Sequence, residues 1–128
     1  MPFDNPHRMP FGDLEILRDA RSRVAEEGNW LKGDFHDGDR HCLVAALSVA
    51  AGSCNVRTPN MVELRLARLL AKQLPIKAPL RTRLHIMPVR QRLMYFNDDA
   101  RTTHSDVVAL YDRAIEHLTS RVLVRAVV

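Results

Sequence analysis

The sequence predicts an all-α protein: a compact single-domain bundle of four to five helices around a central apolar helix at about residues 42–51. Three observations carry that prediction. The segments 14–24, 62–70 and 107–118 each repeat apolar residues at helical spacing. Cys42–Ala51 is apolar almost throughout and contains four alanines, which favours a buried helix over a buried strand. Aromatic residues make up only 5% of the chain, so Leu, Val, Ala and Met must fill the core, a composition suited to closely packed helices.

Taken in order, residues 1–12 hold three prolines and little apolar periodicity, and read as an extended arm ahead of a helical domain at 13–128. A first helix is expected from Asp13, as its N-cap, to Glu27, with Leu14, Leu17, Ala20 and Val24 on one stripe and Gly28 as its stop. Asn29 to His41 reads as a long polar loop with Gly33 and Gly38, anchored by Phe35 and by Trp30 with its indole N–H on backbone. The central helix follows, with Asp39 as the expected cap and Gly52 as the stop.

Thr58-Pro59 supplies a cap and an N1 proline for the next helix, which runs to about Gln73 with Val62, Leu66, Leu69 and Leu70 inward. Pro75 to Met87 reads as loop. Pro88 opens a short helix ending near Phe96, and Asn97 to Arg101 forms a second polar turn. Thr103-x-x-Asp106 has the form of a capping box ahead of Val107, Leu110, Ala114, Ile115 and Leu118. The tail, Arg121 to Val128, is strongly apolar and is expected to pack, either on the core or against a second chain. No convincing sheet, repeat or low-complexity tract is present.

Composition narrows the functional classes. The two cysteines, Cys42 and Cys54, would lie at the two ends of one helix, about 18 Å apart at 1.5 Å per residue, too far for a disulfide. Free thiols point to a reducing compartment. The N-terminus lacks the apolar core of a signal peptide, and no apolar run is long enough for a membrane span. The expectation is a cytoplasmic protein with no membrane partner. Net charge is +4, and it is unevenly spread: from Arg65 to Arg92 there are eight basic residues and no acid. Such a surface suits nucleic acid, phosphate or an acidic protein, and otherwise serves as a solvated face.

Several constellations are candidates for chemistry. Cys42 at a helix start would have a lowered thiol pKa, with His85 or His104 as base and Asn97 or Asp98 as its orienter. Asp34, His36, Asp37, Asp39, His41 and Cys42 place six donors in nine residues, yet without a known ligand spacing, so no metal or other cofactor is assigned. Gly33 and Gly38 form neither a dinucleotide nor a phosphate loop. The row Arg65, Arg68 and Lys72, joined by Arg81, Arg83, Arg90 and Arg92, would span several phosphates, but few aromatics are available for stacking and the connection before Thr58 is too long for a helix-turn-helix.

Two segments resemble the motifs of a bacterial and phage family defined as a domain of unknown function. Trp30-x-x-Gly33, then Gly38, Cys42-Leu43 and Ala45-Ala46-Leu47, resemble its first motif. Phe96-Asn97-Asp98, then Thr102 or Thr103 and a helix from Val107 to Ala114, resemble its second. The chain departs from the pattern at Phe96, where Trp is frequent, and at Ala45, where Gly is common. The resemblance spans about Leu14 to Leu118 and brings no established activity. It implies that the two motifs meet in space, with Asn97 and Asp98 holding the Gly33–His41 loop through backbone groups and Trp30 packed behind.

The expected function is a non-enzymatic binding or regulatory module. It would act through the basic face at 65–92 or through the apolar tail, on a protein partner or a second copy, with nucleic acid as a further partner class. The alternative is a small thiol- or metal-dependent enzyme centred on Cys42 and the Asp34–His41 loop.

Overall fold

The computed structural model describes residues 11–75 and 87–127. Among them run five α-helices: α1 (Phe11–Val24), α2 (Leu43–Ala50), α3 (Met61–Lys72), α4 (Val89–Asp98) and α5 (His104–Val127). This is the all-α bundle expected from periodicity. Of the arm expected at residues 1–12, the last two belong to α1 and residues 1–10 lie outside the described residues, as do the segment 76–86, with Arg81, Arg83 and His85, and residue 128.

Helix α2 is the centre. Leu43, Val44, Ala45, Ala46, Leu47 and Ser48 are all buried, and α2 touches α1, α3 and α4. Helix α1 lies along both α2 and α5 and presents Leu14, Leu17, Ala20 and Val24, while α5 contributes Val107, Leu110, Ala114 and Leu118. Each Leu or Val among them stabilises the fold by about 1.5–3 kcal/mol relative to exposure, and each Ala by less. Tyr111 is fully buried, and its hydroxyl donates to the Leu43 carbonyl at 2.7 Å, so burial leaves no orphan polar atom there.

Caps are where the structure departs from the sequence-based expectation. Asp13 does not cap α1, which starts two residues earlier. It sits in the first turn, and Arg65 of α3 grips its buried carboxylate, Nε to Oδ2 at 3.2 Å and Nη2 to Oδ1 at 2.9 Å. The helix ends at Val24. Gly28 falls in a 3-10 turn (Glu27–Asn29) and is not among the glycines with positive φ. Nor does Asp39 cap α2. Cys42 does, its Sγ accepting the Ala45 N–H at 3.3 Å. Gly52 does end α2: its φ is +77°, its N–H reaches Val49 O, and the Ser53 N–H reaches Ser48 O, the paired bonds of a Schellman motif.

The cap of α3 is Asn60 rather than Thr58-Pro59. Its Oδ1 accepts the Glu63 N–H at 2.8 Å and its Nδ2 donates to the Ala51 carbonyl at 2.9 Å, so one side chain joins the start of α3 to the end of α2. The Ser53 hydroxyl accepts the Asn60 N–H and donates to Glu63 Oε1 at 2.7 Å. Glu63 is fully buried. Arg90 of α4 pairs with its other oxygen at 2.7 Å and also donates to the Val56 carbonyl. A carboxylate is tolerated there because both of its oxygens are bonded.

Pro88 is the N-cap of α4, one position before the expected N1, and the helix runs through Asn97 and Asp98, which the sequence had assigned to a turn. The capping box of α5 forms as expected: the Thr103 N–H donates to Asp106 Oδ2 at 3.0 Å and the Asp106 N–H to Thr103 Oγ1 at 3.2 Å. The tail continues α5 to Val127. Leu118 and Val122 are buried, whereas Leu123 and Val124 are exposed. No helix among the described residues is long and apolar enough to cross a membrane.

Candidate functional site

The polar loop before α2 is not wholly irregular. His36–Asp37 (β1) pairs antiparallel with Arg40–His41 (β2) across the two-residue turn Gly38–Asp39. Gly38 has φ +63°, as the first central position of a type II′ turn requires. The hairpin is tied to the core by Cys42 N–H to Phe35 O at 2.8 Å and Leu31 N–H to His41 O at 3.0 Å.

Asn97, fully buried in the last turn of α4, joins the loop to the core. Its Oδ1 accepts the Trp30 indole N–H at 2.7 Å and the Leu43 N–H at 3.1 Å. Its Nδ2 donates to Leu31 O at 3.0 Å and Asp98 Oδ1 at 2.9 Å. All four hydrogen-bonding positions of the amide are used, which also fixes which atom is oxygen. Asp98 Oδ1 in turn accepts the Gly33 N–H at 2.9 Å. The segments that carry the two motifs therefore meet. Trp30 bonds to a side chain rather than to backbone, as the sequence had it. The Trp30 ring packs against the tilted ring of His104 at 5.9 Å between centroids, and the Lys32 ammonium lies over it at 5.4 Å.

A cleft of about 110 Å³ opens beside this junction, lined by Gly33, Asp34, Phe35, Cys42, Met94, Asn97 and Asp98. Cys42 does not have the lowered thiol pKa that its place at a helix start suggested. Burial pushes its thiol above the ordinary value and the Asp98 carboxylate adds to this, outweighing the N–H groups of Ala45 and Val44 at the helix start. His104 Nε2 is bonded to the Val24 carbonyl at 2.7 Å, so that imidazole is committed to the end of α1. The expected thiol–imidazole pair is not assembled among the described residues.

The hairpin does not gather its donors either. No group of three His, Cys, Asp or Glu side chains converges among the described residues. Asp37 is paired with Arg40, and His41 Nδ1 is bonded to the Asp39 carbonyl. Burial pulls the His41 pKa down, against the opposing effect of that carbonyl. His36 and His41 face each other at 6.5 Å between centroids.

A second, larger groove of about 490 Å³ lies between α3 and α4, lined by Arg68, Ala71, Lys72, Leu74, Met87, Val89 and Arg92. It redraws the basic face. Arg65 is held by Asp13 and Arg90 by Glu63, and Arg92 is buried, whereas Arg68 and Lys72 are exposed beside the apolar floor.

Among known protein families, a family model matches residues 10–117. The chain belongs to DUF6197, a family of unknown function. No curated protein and no solved structure matches it. The DUF6197 match takes in both clefts and ends inside α5, so the exposed Leu123 and Val124 lie beyond it.

Sequence reasoning missed Asn60, Glu63, Ser53 and Met94. Asn60 carried a readable signal, since Asn three residues before Glu at the start of an apolar-periodic run is a cap pattern. The burial of Glu63 carried none, because its partner Arg90 comes from a different helix.

Proposed function

We propose that this DUF6197 protein is a non-enzymatic binding module that takes an acidic, partly apolar protein segment into the groove between α3 and α4. One observation carries the reading: Arg68 and Lys72 stand exposed over a floor of Ala71, Leu74, Met87 and Val89 in a groove of about 490 Å³. That volume lies in the usual range for a ligand site. Exposed cations steer and orient an acidic partner, while the apolar floor supplies burial. A nucleic-acid backbone would use the cations and leave the floor unused, and the groove lining contains no aromatic ring for stacking bases. The exposed pair on α5, Leu123 and Val124, is a weaker candidate, because nothing on it selects one partner over another.

The test is fluorescence anisotropy with a labelled peptide built of Glu and Leu, against a labelled single-stranded DNA. The expected result is saturable peptide binding that weakens with salt and falls by about tenfold or more in the double variant Arg68→Glu/Lys72→Glu. Arg65 is left intact because reversing it would break the Asp13 pair and confuse binding with folding. Peptide binding that ignores the double variant, or DNA binding tighter than the peptide, overturns the reading.

A further inference from the structure

The small cleft beside Cys42 has a different chemistry, and it is independent of the groove. Its polar groups are sorted by depth. At the floor, the Asn97 amide has no free position, since both its oxygen and its nitrogen are fully bonded. The Gly33 N–H is taken by Asp98 Oδ1. At the rim, Asp34 and Asp98 are exposed, each uses Oδ1 to accept a backbone N–H, and neither carboxylate pairs with a cation among the described residues. Among the described residues, the second oxygen of each has no partner and is left to accept. The walls, Phe35 and Met94, are apolar.

One further polar group is buried at the floor. Cys42 is 3% exposed, and its sulfur accepts the Ala45 N–H, but its own S–H has no acceptor among the described residues. The cleft thus offers acceptors at its mouth, has the N–H groups of Gly33, Phe35, Cys42 and Asn97 already bonded, and holds a soft, polarisable interior of thiol, thioether and aromatic ring. A hard divalent ion is a poor fit, because the walls supply no oxygen and no three-donor group converges there. An organic cation fits both layers: its charge meets the two carboxylates and its carbons meet Phe35 and Met94. At about 30 Å³ per water, a cleft of about 110 Å³ has room for just under four heavy atoms, enough for the ammonium and the first carbons of an alkyl chain.

We propose that the cleft formed by Asp34, Phe35, Cys42, Met94 and Asp98 is a binding site for a primary alkylammonium group, carried by a small free amine or by a lysine side chain. The carboxylates are exposed, so charge alone contributes modestly in water. Selectivity comes from charge at the rim and carbon at the wall acting on one small ligand. A ligand of this size binds weakly, with a Kd of about 1 mM or above.

The experiment is an NMR titration of the full chain, following the Met94 methyl and the Gly33 amide at constant ionic strength. The probes are n-butylammonium chloride, its neutral counterpart n-butanol, and Nα-acetyl-lysine amide. The expected result is a saturable shift with butylammonium that is about tenfold weaker with butanol. Asp34→Asn and Asp98→Asn keep the oxygen that accepts the Phe35 and Gly33 N–H groups, so both should fold, and each should weaken the amine several-fold while leaving butanol unchanged. Tighter binding of the blocked lysine assigns the site to a lysine side chain, and tighter binding of butylammonium to a free amine. A shift linear in amine, equal binding of butanol, or full binding in both folded variants overturns the proposal.

Discussion

Helix α4 serves two concavities of opposite character. Its first turns, with Val89 and Arg92, wall the large groove, and its last turns, with Met94, Asn97 and Asp98, wall the small cleft. The groove is basic and its helices are joined by a buried ion pair, Glu63 with Arg90. The cleft is acidic at its rim and is joined to the core by a neutral amide, Asn97. A buried charge must be matched by a partner charge, and a buried amide only by hydrogen bonds. These two surfaces are thus built by separate means, and each is expected to tolerate change with little effect on the other.

The comparison breaks most sharply at Asn97. Asn97→Ala strands the Leu43 N–H, the Leu31 carbonyl and the Trp30 indole N–H together, and should cost about 3 kcal/mol or more in urea unfolding, with loss of the amine site. Glu63→Gln is the counterpart on the groove side. It keeps shape but leaves Arg90 without its charge partner, and should cost about 2 kcal/mol. If the two surfaces are independent, butylammonium binding survives this change at a temperature where the protein is folded. Loss of both activities in either folded variant would show that α4 couples them.

A smaller effect sharpens the contrast at alkaline pH. The Cys42 thiol has a higher pKa folded than unfolded, so its stabilising share is complete below the unfolded value near pH 8.5 and is lost as pH rises through the folded value. Thermal stability should therefore decline above about pH 8.5, by at most 1.4 kcal/mol per pH unit for one group. Cys42→Ser should reduce that decline, leaving the share of the buried Tyr111, whose pKa is also raised by burial. For the same reason Cys54, which is exposed, should alkylate well before buried Cys42, as read by mass spectrometry of a timed iodoacetamide reaction.

Much of this architecture was legible along the chain. The stripe Leu14, Leu17, Ala20 and Val24 and the wholly apolar run from Leu43 to Leu47 are local patterns, and they predicted which surfaces are buried. The Thr103–Asp106 box and the Gly52 stop need only neighbours within a few residues, and both formed. Other assignments failed because a distant partner outweighed a local preference. Asp13 was free to cap α1 until Arg65 claimed its carboxylate from another helix. Asn97 and Asp98 read as turn residues by composition, yet bonds to Trp30, Leu31, Gly33 and Leu43 hold them in the last turn of α4. The row of Arg65, Arg68 and Lys72 was visible, but not that one of the three is held in an ion pair and two are exposed.

Local pattern along the chain thus specifies the helices, their inward faces and the caps closed by near neighbours, because helix periodicity and capping act over a few residues of chain. Packing in three dimensions sets which charges are spent on other helices, buries the Cys42 thiol, and brings two clefts of opposite charge onto α4. Those outcomes depend on burial and on hydrogen bonds across dozens of residues, from Trp30 to Asn97 and from Arg65 to Asp13, which no local pattern encodes.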